Sequence, residues 1–193
     1  MIIQTEKRYT PQEYLKLEEK ALDRHEYRDG EIISMTGGTT NHNQIALNFC
    51  RKFPLAIENQ DYYIYINDVR LWIEQYRFYT YPDVMVIQGK PIYEGTGTVN
   101  VTNPSIIVEV LSKSTRDYYY TDKFRYYRSI PEFQEYILID QYKFYVAQYF
   151  KQENGQWAFN DYEGEEAVLN LASVNFEISF SDLYERVDFE LED

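Results

Sequence analysis

The sequence predicts an α/β fold, a mixed β-sheet flanked by helices, formed as a single domain over residues 1–193. Three observations carry this. Helical and strand-like patterns follow one another in the order helix, hairpin, helix, several strands, helix, further strands, which suits helices layered on a mixed sheet. Residues 105–111 are nearly all apolar on both strand faces and carry one charge, Glu109, as expected of a central strand covered on two sides. The chain's 193 residues, 44% hydrophobic and 26% charged, suffice for one buried core. With 21 Tyr beside 11 Phe and 2 Trp, large rings with polar tips should fill much of it.

The first helix starts at Thr10-Pro11-Gln12-Glu13: Thr10 can cap, Pro11 suits the first turn, and Glu13 lies three residues beyond the cap. It runs to about Lys20, with Tyr14, Leu15 and Leu17 on its apolar side. Two strand-like runs either side of Asp29-Gly30, from His25 to Met35, form a tight hairpin. Gly37-Gly38-Thr39-Thr40 end that strand and lead into a helix with periodic Ile45, Leu47, Phe49, Phe53 and Leu55. Strands are expected at 62–66, 69–73, 83–87 and 105–111, with a glycine- and proline-bearing loop over 88–104. Ser114 or Thr115 caps a helix reaching about Ser129, and Pro131 follows it. Further strands are expected at 134–140, 144–150, 156–162 and 176–180, the middle pair joined at Asn154-Gly155. A short helix begins at Ser181, and the acidic tail from about residue 187 is expected to fray.

No run of 18 apolar residues is present, so no membrane span is expected, and the N-terminus lacks a basic region leading into an apolar stretch. The single cysteine, Cys50, has no internal disulfide partner, which points to a cytoplasmic, reducing setting and a half-buried structural thiol. The net charge of −13 argues against tight non-specific binding to nucleic acid. A binding face needs only a local positive patch, so the charge is compatible with weak, salt-sensitive contact with DNA.

Three residues stand out chemically. Asp83 follows Tyr81-Pro82 and opens an apolar strand; Glu109 is an acid inside the most hydrophobic segment; Lys123 lies on the helix that follows. A lone carboxylate in a buried strand is costly unless it is paired or holds a metal. Two carboxylates at the ends of adjacent strands can hold one hard cation. A nearby lysine can orient water or offset phosphate charge, and the cation would polarise the phosphoryl group. Such a set suits phosphodiester hydrolysis.

Pro82-Asp83, the run from Val108 to Ser112 with Ser114-Thr115, Asp122-Lys123 and Tyr126-Tyr127-Arg128 together resemble the Uma-two family. Glu26 to Glu31, His42 and the segment from Pro131 to Asp140 extend the likeness from about residue 10 to 184. The resemblance implies a restriction-endonuclease-like core of the PD-(D/E)XK superfamily and nuclease chemistry dependent on Mg2+ or Mn2+. It implies that Asp83 and Glu109 are the metal-binding acids and that Glu26 is an additional acid of the site. Leu111 stands two residues after Glu109, where the superfamily pattern has a lysine, so the resemblance assigns that lysine to Lys123 on the next helix.

Other residues have plainer readings. His42 is expected to play a structural or supporting role rather than to ligate a metal. His25 is expected at the surface, and Asp68 and Asp140 in turns. Tyr119, Tyr120, Tyr126 and Tyr127 lie one helical turn from Lys123, so some of them can line the same cleft. Gly37-Gly38 lack the spacing and lysine of a phosphate loop. The functional expectation is a DNA endonuclease, with a homodimer suited to cutting both strands. Its alternatives are a nuclease acting on RNA and a catalytically silent nuclease-fold module that binds or assembles with protein partners.

Overall fold

A computed structural model describes residues 7–113 and 116–190. Along the chain run α1 (Pro11–Glu18), β1 (His25–Arg28), β2 (Glu31–Ser34), α2 (Thr40–Lys52), β3 (Ala56–Ile57), β4 (Gln60–Ile66), β5 (Arg70–Ile73), β6 (Phe78–Thr80), β7 (Val84–Gln88), β8 (Asn100–Val101) and β9 (Ile106–Leu111). Then come α3 (Arg116–Tyr118), a π-helical segment (Tyr119–Lys123) and α4 (Phe124–Tyr127). These are followed by β10 (Glu135–Asp140), β11 (Tyr145–Lys151), β12 (Trp157–Glu163), β13 (Val168–Asn170), β14 (Glu177–Ser179) and α5 (Phe180–Leu183).

The expected mixed architecture is present, but divided among sheets. Seven strands lie in the order β12-β11-β10-β9-β7-β4-β3, five in the order β2-β1-β6-β5-β8, and β13 pairs with β14. Strands β9 and β10 are parallel, and the crossover between them is made by the α3–π–α4 helix. That helix covers one face of β9, where Phe124 and Tyr127 pack with Ile107, Leu111, Tyr136 and Leu138. Helix α2 covers the other, its Ile45, Ala46 and Phe49 packing with Val84, Val86, Val108 and Val110. Because side chains alternate along a strand, Glu109 faces the crossover helix together with Ile107 and Leu111.

Local chemistry explains the elements that position the site. Thr10 and Glu13 form a reciprocal capping box on α1. Asp29 (φ 41°) and Gly30 (φ 106°) supply the left-handed turn that sets Arg28 opposite Glu31 in the β1–β2 hairpin. Thr39 caps α2 by accepting a hydrogen bond from His42 N. Ser179 caps α5, which begins at Phe180, one residue before the expected Ser181. The expected cap at Ser114 or Thr115 lies outside the described residues.

Several expectations need correction. Leu17, Leu47 and Leu55 are exposed, at 49%, 55% and 64%. On α2 the inward stripe is Asn41, Ile45, Asn48 and Phe49. Its two amides are buried because they satisfy the C-terminal backbone: Asn48 Nδ2 donates to Leu183 O (3.0 Å) and Glu185 O (2.8 Å), and Asn41 exchanges bonds with Asp188. Val187 and Phe189 pack against the core, Phe189 edge-on against Phe144, and residues 191–193 of the expected tail lie outside the described residues. His25 is tied to Glu18 through both its backbone and its ring. Asp140 does turn the chain, accepting from Tyr142 N, but it also pairs with Arg116. No described helix is long and apolar enough to cross a membrane.

Candidate active site

Strand β9 delivers Glu109 to a fully buried position beneath the crossover helix. Its Oε1 accepts from Lys123 Nζ at 2.8 Å and from the Tyr127 hydroxyl at 2.6 Å. Lys123 and Tyr127 are four residues apart and share the inward helix face. Asp83 precedes β7, the antiparallel neighbour of β9. Its Oδ2 accepts from Val110 N (2.8 Å) and lies 3.1 Å from His42 Nε2, while its own backbone N reaches toward Glu109 Oε2 (3.4 Å). Two carboxylates separated by 26 residues in the chain thus share one end of the β7–β9 pair.

Glu26 enters from β1. It accepts from Thr80 Oγ1 of β6 (2.5 Å) and from the Tyr118 hydroxyl (3.3 Å), and lies 3.4 Å from Lys123 Nζ. The ammonium therefore sits between Glu109 and Glu26, over the ring of Tyr119 at 4.4 Å. All four residues singled out from the sequence converge on one place: Asp83, Glu109, Lys123 and Glu26 are each at least nine-tenths buried. Of the four tyrosines a turn from Lys123, Tyr119 and Tyr127 line the site; Tyr120 packs edge-on against Tyr149, and Tyr126 lies tilted against Tyr76 and Phe78.

A π-helical segment ends at Lys123. Such segments leave backbone groups without their usual helical partners. Here the Thr121 hydroxyl donates to Asp117 O (2.7 Å) and the Tyr136 hydroxyl to Tyr119 O (3.4 Å). Neither this segment nor the role of Tyr127 was anticipated from the sequence. The closest available signal was the i, i+4 pairing of Lys123 with Tyr127.

Burial sets the protonation of the cluster. Loss of solvent, with Asp83 adding repulsion, pushes the Glu109 carboxyl up to about 7 despite the bonds from Lys123 and Tyr127. Burial would strip Lys123 of its proton, but Glu109 and the surrounding hydroxyls and Glu26 outweigh that, and its pKa lies well above the usual lysine value. Desolvation also opposes charge on His42, and the bond and charge of Asp83 more than offset it, raising the imidazole pKa. Burial and Glu109 raise Tyr127 far above neutrality, so its hydroxyl is a proton donor to the carboxylate.

The donor chemistry fits a small hard cation. Asp83 and Glu109 provide adjacent carboxylates, one of which is destabilised as an anion by its surroundings. Mg2+ is commonly bound by one or two carboxylates, with water and substrate phosphate completing the shell. Among the described residues no set of three Asp, Glu, His or Cys side chains gathers as a full cage. Glu26 is turned to Lys123 instead.

Residues 11–181 match the profile of the family described as "Uma2: Putative restriction endonuclease". The chain is 42% identical over 172 residues to "Uncharacterized protein sll1609" of Synechocystis sp., covering 89% of this chain and 97% of that one. It is 32% identical over 180 residues to "Uncharacterized protein slr1290" of the same organism, covering 93% of each. Its fold is similar to that of a crystal structure from Anabaena variabilis described as "a putative nuclease belonging to DUF820". The TM-score is 0.71 at 20% identity, over 91% of this chain and 97% of that one.

Proposed function

The chain belongs to the Uma2 family, and from that membership we propose that it is a Mg2+- or Mn2+-dependent endonuclease hydrolysing phosphodiester bonds in DNA. The observation that carries this reading is the meeting of Asp83 and Glu109 at one end of β7–β9, with the Lys123 ammonium bonded to Glu109. Asp83 and Glu109 would hold the divalent cation, which when bound supplies positive charge to the phosphoryl oxygens and acidifies water. Lys123 stays protonated, so it acts as a fixed charge that orients the attacking water and offsets the negative charge growing on phosphate. Glu26, with Thr80 and Tyr118, holds that ammonium in place. Hydrolysis forms a bond from water oxygen to phosphorus and breaks the bond to the leaving nucleoside oxygen; the water releases a proton to solvent and the leaving oxygen takes one up.

The same reading makes the whole chain one domain acting in a reducing cytoplasm, binding DNA weakly and with strong salt dependence. A homodimer would bring two such sites to the two strands. The test is cleavage of supercoiled plasmid with Mg2+ or Mn2+ against EDTA, for the natural chain, Asp83→Ala and Glu109→Ala. We expect metal-dependent nicking that falls at least about 100-fold in each variant. Cleavage at the full rate in both variants would overturn the assignment.

A further inference from the structure

We infer that Gly38 and His42 act together as the positioning device for Asp83, Gly38 serving as the open backbone seat on which the imidazole rests. This rests on the reading of Asp83 as a metal-holding carboxylate and adds two residues to it. His42 Nε2 is 3.1 Å from Asp83 Oδ2, and both side chains are largely buried. Val110 N fixes the same oxygen at 2.8 Å, so a strand amide and a helix imidazole together set the carboxylate's direction. A carboxylate that must meet a cation gains affinity when its orientation is settled beforehand.

Gly38 defines the other side of the ring. A Cβ at residue 38 would stand 2.8 Å from His42 Nδ1, closer than real Cβ contacts come, and a tight 3.1 Å from its Cγ, so the ring would have to shift. The backbone of Gly38 is not in the left-handed region, so no conformational demand requires glycine there. Its neighbour Gly37 has nothing within 4 Å of the equivalent position. Room for the imidazole is thus the physical reason for glycine at 38. The turn is also bolted to the metal-facing strand: Thr39 Oγ1 donates to Gln141 Oε1 (2.5 Å), and Gln141 Nε2 donates to Leu111 O (2.9 Å), two residues beyond Glu109. His42, Asp83 and Glu109 are therefore held in one frame by contacts that span the chain.

The paired glycines give the experiment its control. Mn2+ binding is measured by calorimetry on the full chain and on Gly37→Ala, Gly38→Ala, His42→Ala and the Gly38→Ala/His42→Ala double variant, with thermal melts alongside. Gly38→Ala and His42→Ala should each weaken Mn2+ about tenfold or more, and Gly37→Ala should bind as the natural chain does. The double variant should be no weaker than His42→Ala alone, because Gly38 acts only through the ring. Additive losses, or Gly38→Ala binding Mn2+ like the natural chain, would overturn the inference while leaving the nuclease reading intact. A natural chain that takes up no Mn2+ would overturn both.

Discussion

Lys123 Nζ lies 2.8 Å from Glu109 Oε1, and the two side chains are 1% and 0% exposed. A buried pair of this kind is a weak source of net stability, because removing two charges from water offsets their attraction. Its consequence appears when one partner is removed. Lys123→Met leaves Glu109 and Glu26 buried without their shared cation, and should cost about 3–5 kcal/mol. Urea unfolding of the metal-free protein measures this, and a loss below about 1 kcal/mol would mean that the acids find another partner.

The raised Glu109 pKa makes stability depend on pH in a defined window. An unfolded carboxyl releases its proton near 4.5, whereas the native one holds it until about 7. Between these values the native state binds more protons, so stability is fully present below pH 4.5 and declines as pH rises to about 7. Glu109→Gln keeps a neutral side chain and should remove that slope, a difference on the order of 2 kcal/mol between the two ends of the window. Urea midpoints in EDTA from pH 4.5 to 7.5 give the comparison. Parallel curves for the two proteins would contradict the buried-acid account.

Tyr127→Phe removes a hydroxyl that donates to Glu109 Oε1 at 2.6 Å and leaves the ring packing in place. The buried oxygen then keeps only its bond from Lys123, a loss of about 1–3 kcal/mol. Because that bond favours the anion, the variant should also move the pH window upward. Unfolding curves at pH 6 and pH 8 check both effects.

Phe189 lies 4.8 Å from the Phe144 ring and 5.6 Å from the Tyr184 ring, closing the core beneath the C-terminal segment. Phe189→Ala should destabilise by about 1–3 kcal/mol. Leu47→Ala, at a position more than half exposed, should change stability by less than about 0.5 kcal/mol. Equal effects of the two substitutions would indicate that the tail is not docked.

Glu109 could be read from the chain because a charge in an apolar run demands an explanation, whereas Asp83, which stands ahead of its strand, was carried by the family resemblance. The central strand, the β1–β2 hairpin and the crossover helix were legible for the same local reasons: alternation, Asp29-Gly30 and helical spacing. What was hidden depends on distant partners. Asn41 and Asn48 look like solvent-facing helix residues until the C-terminal backbone arrives to use them. Thr39 and Gln141 meet across 102 residues. Strands of two or three residues, such as β6 and β8, are too short to show a period. The burial of Lys123 follows from its two acids, and spacing along a helix says nothing of which side will be covered.

The most direct measurement is a crystal structure after soaking with Mn2+, using the anomalous signal to locate the ion. The account predicts one peak within about 2.5 Å of an oxygen from each of Asp83 and Glu109. A peak bound elsewhere, with Glu109 still closed by Lys123 and Tyr127 and Asp83 by His42, would contradict it.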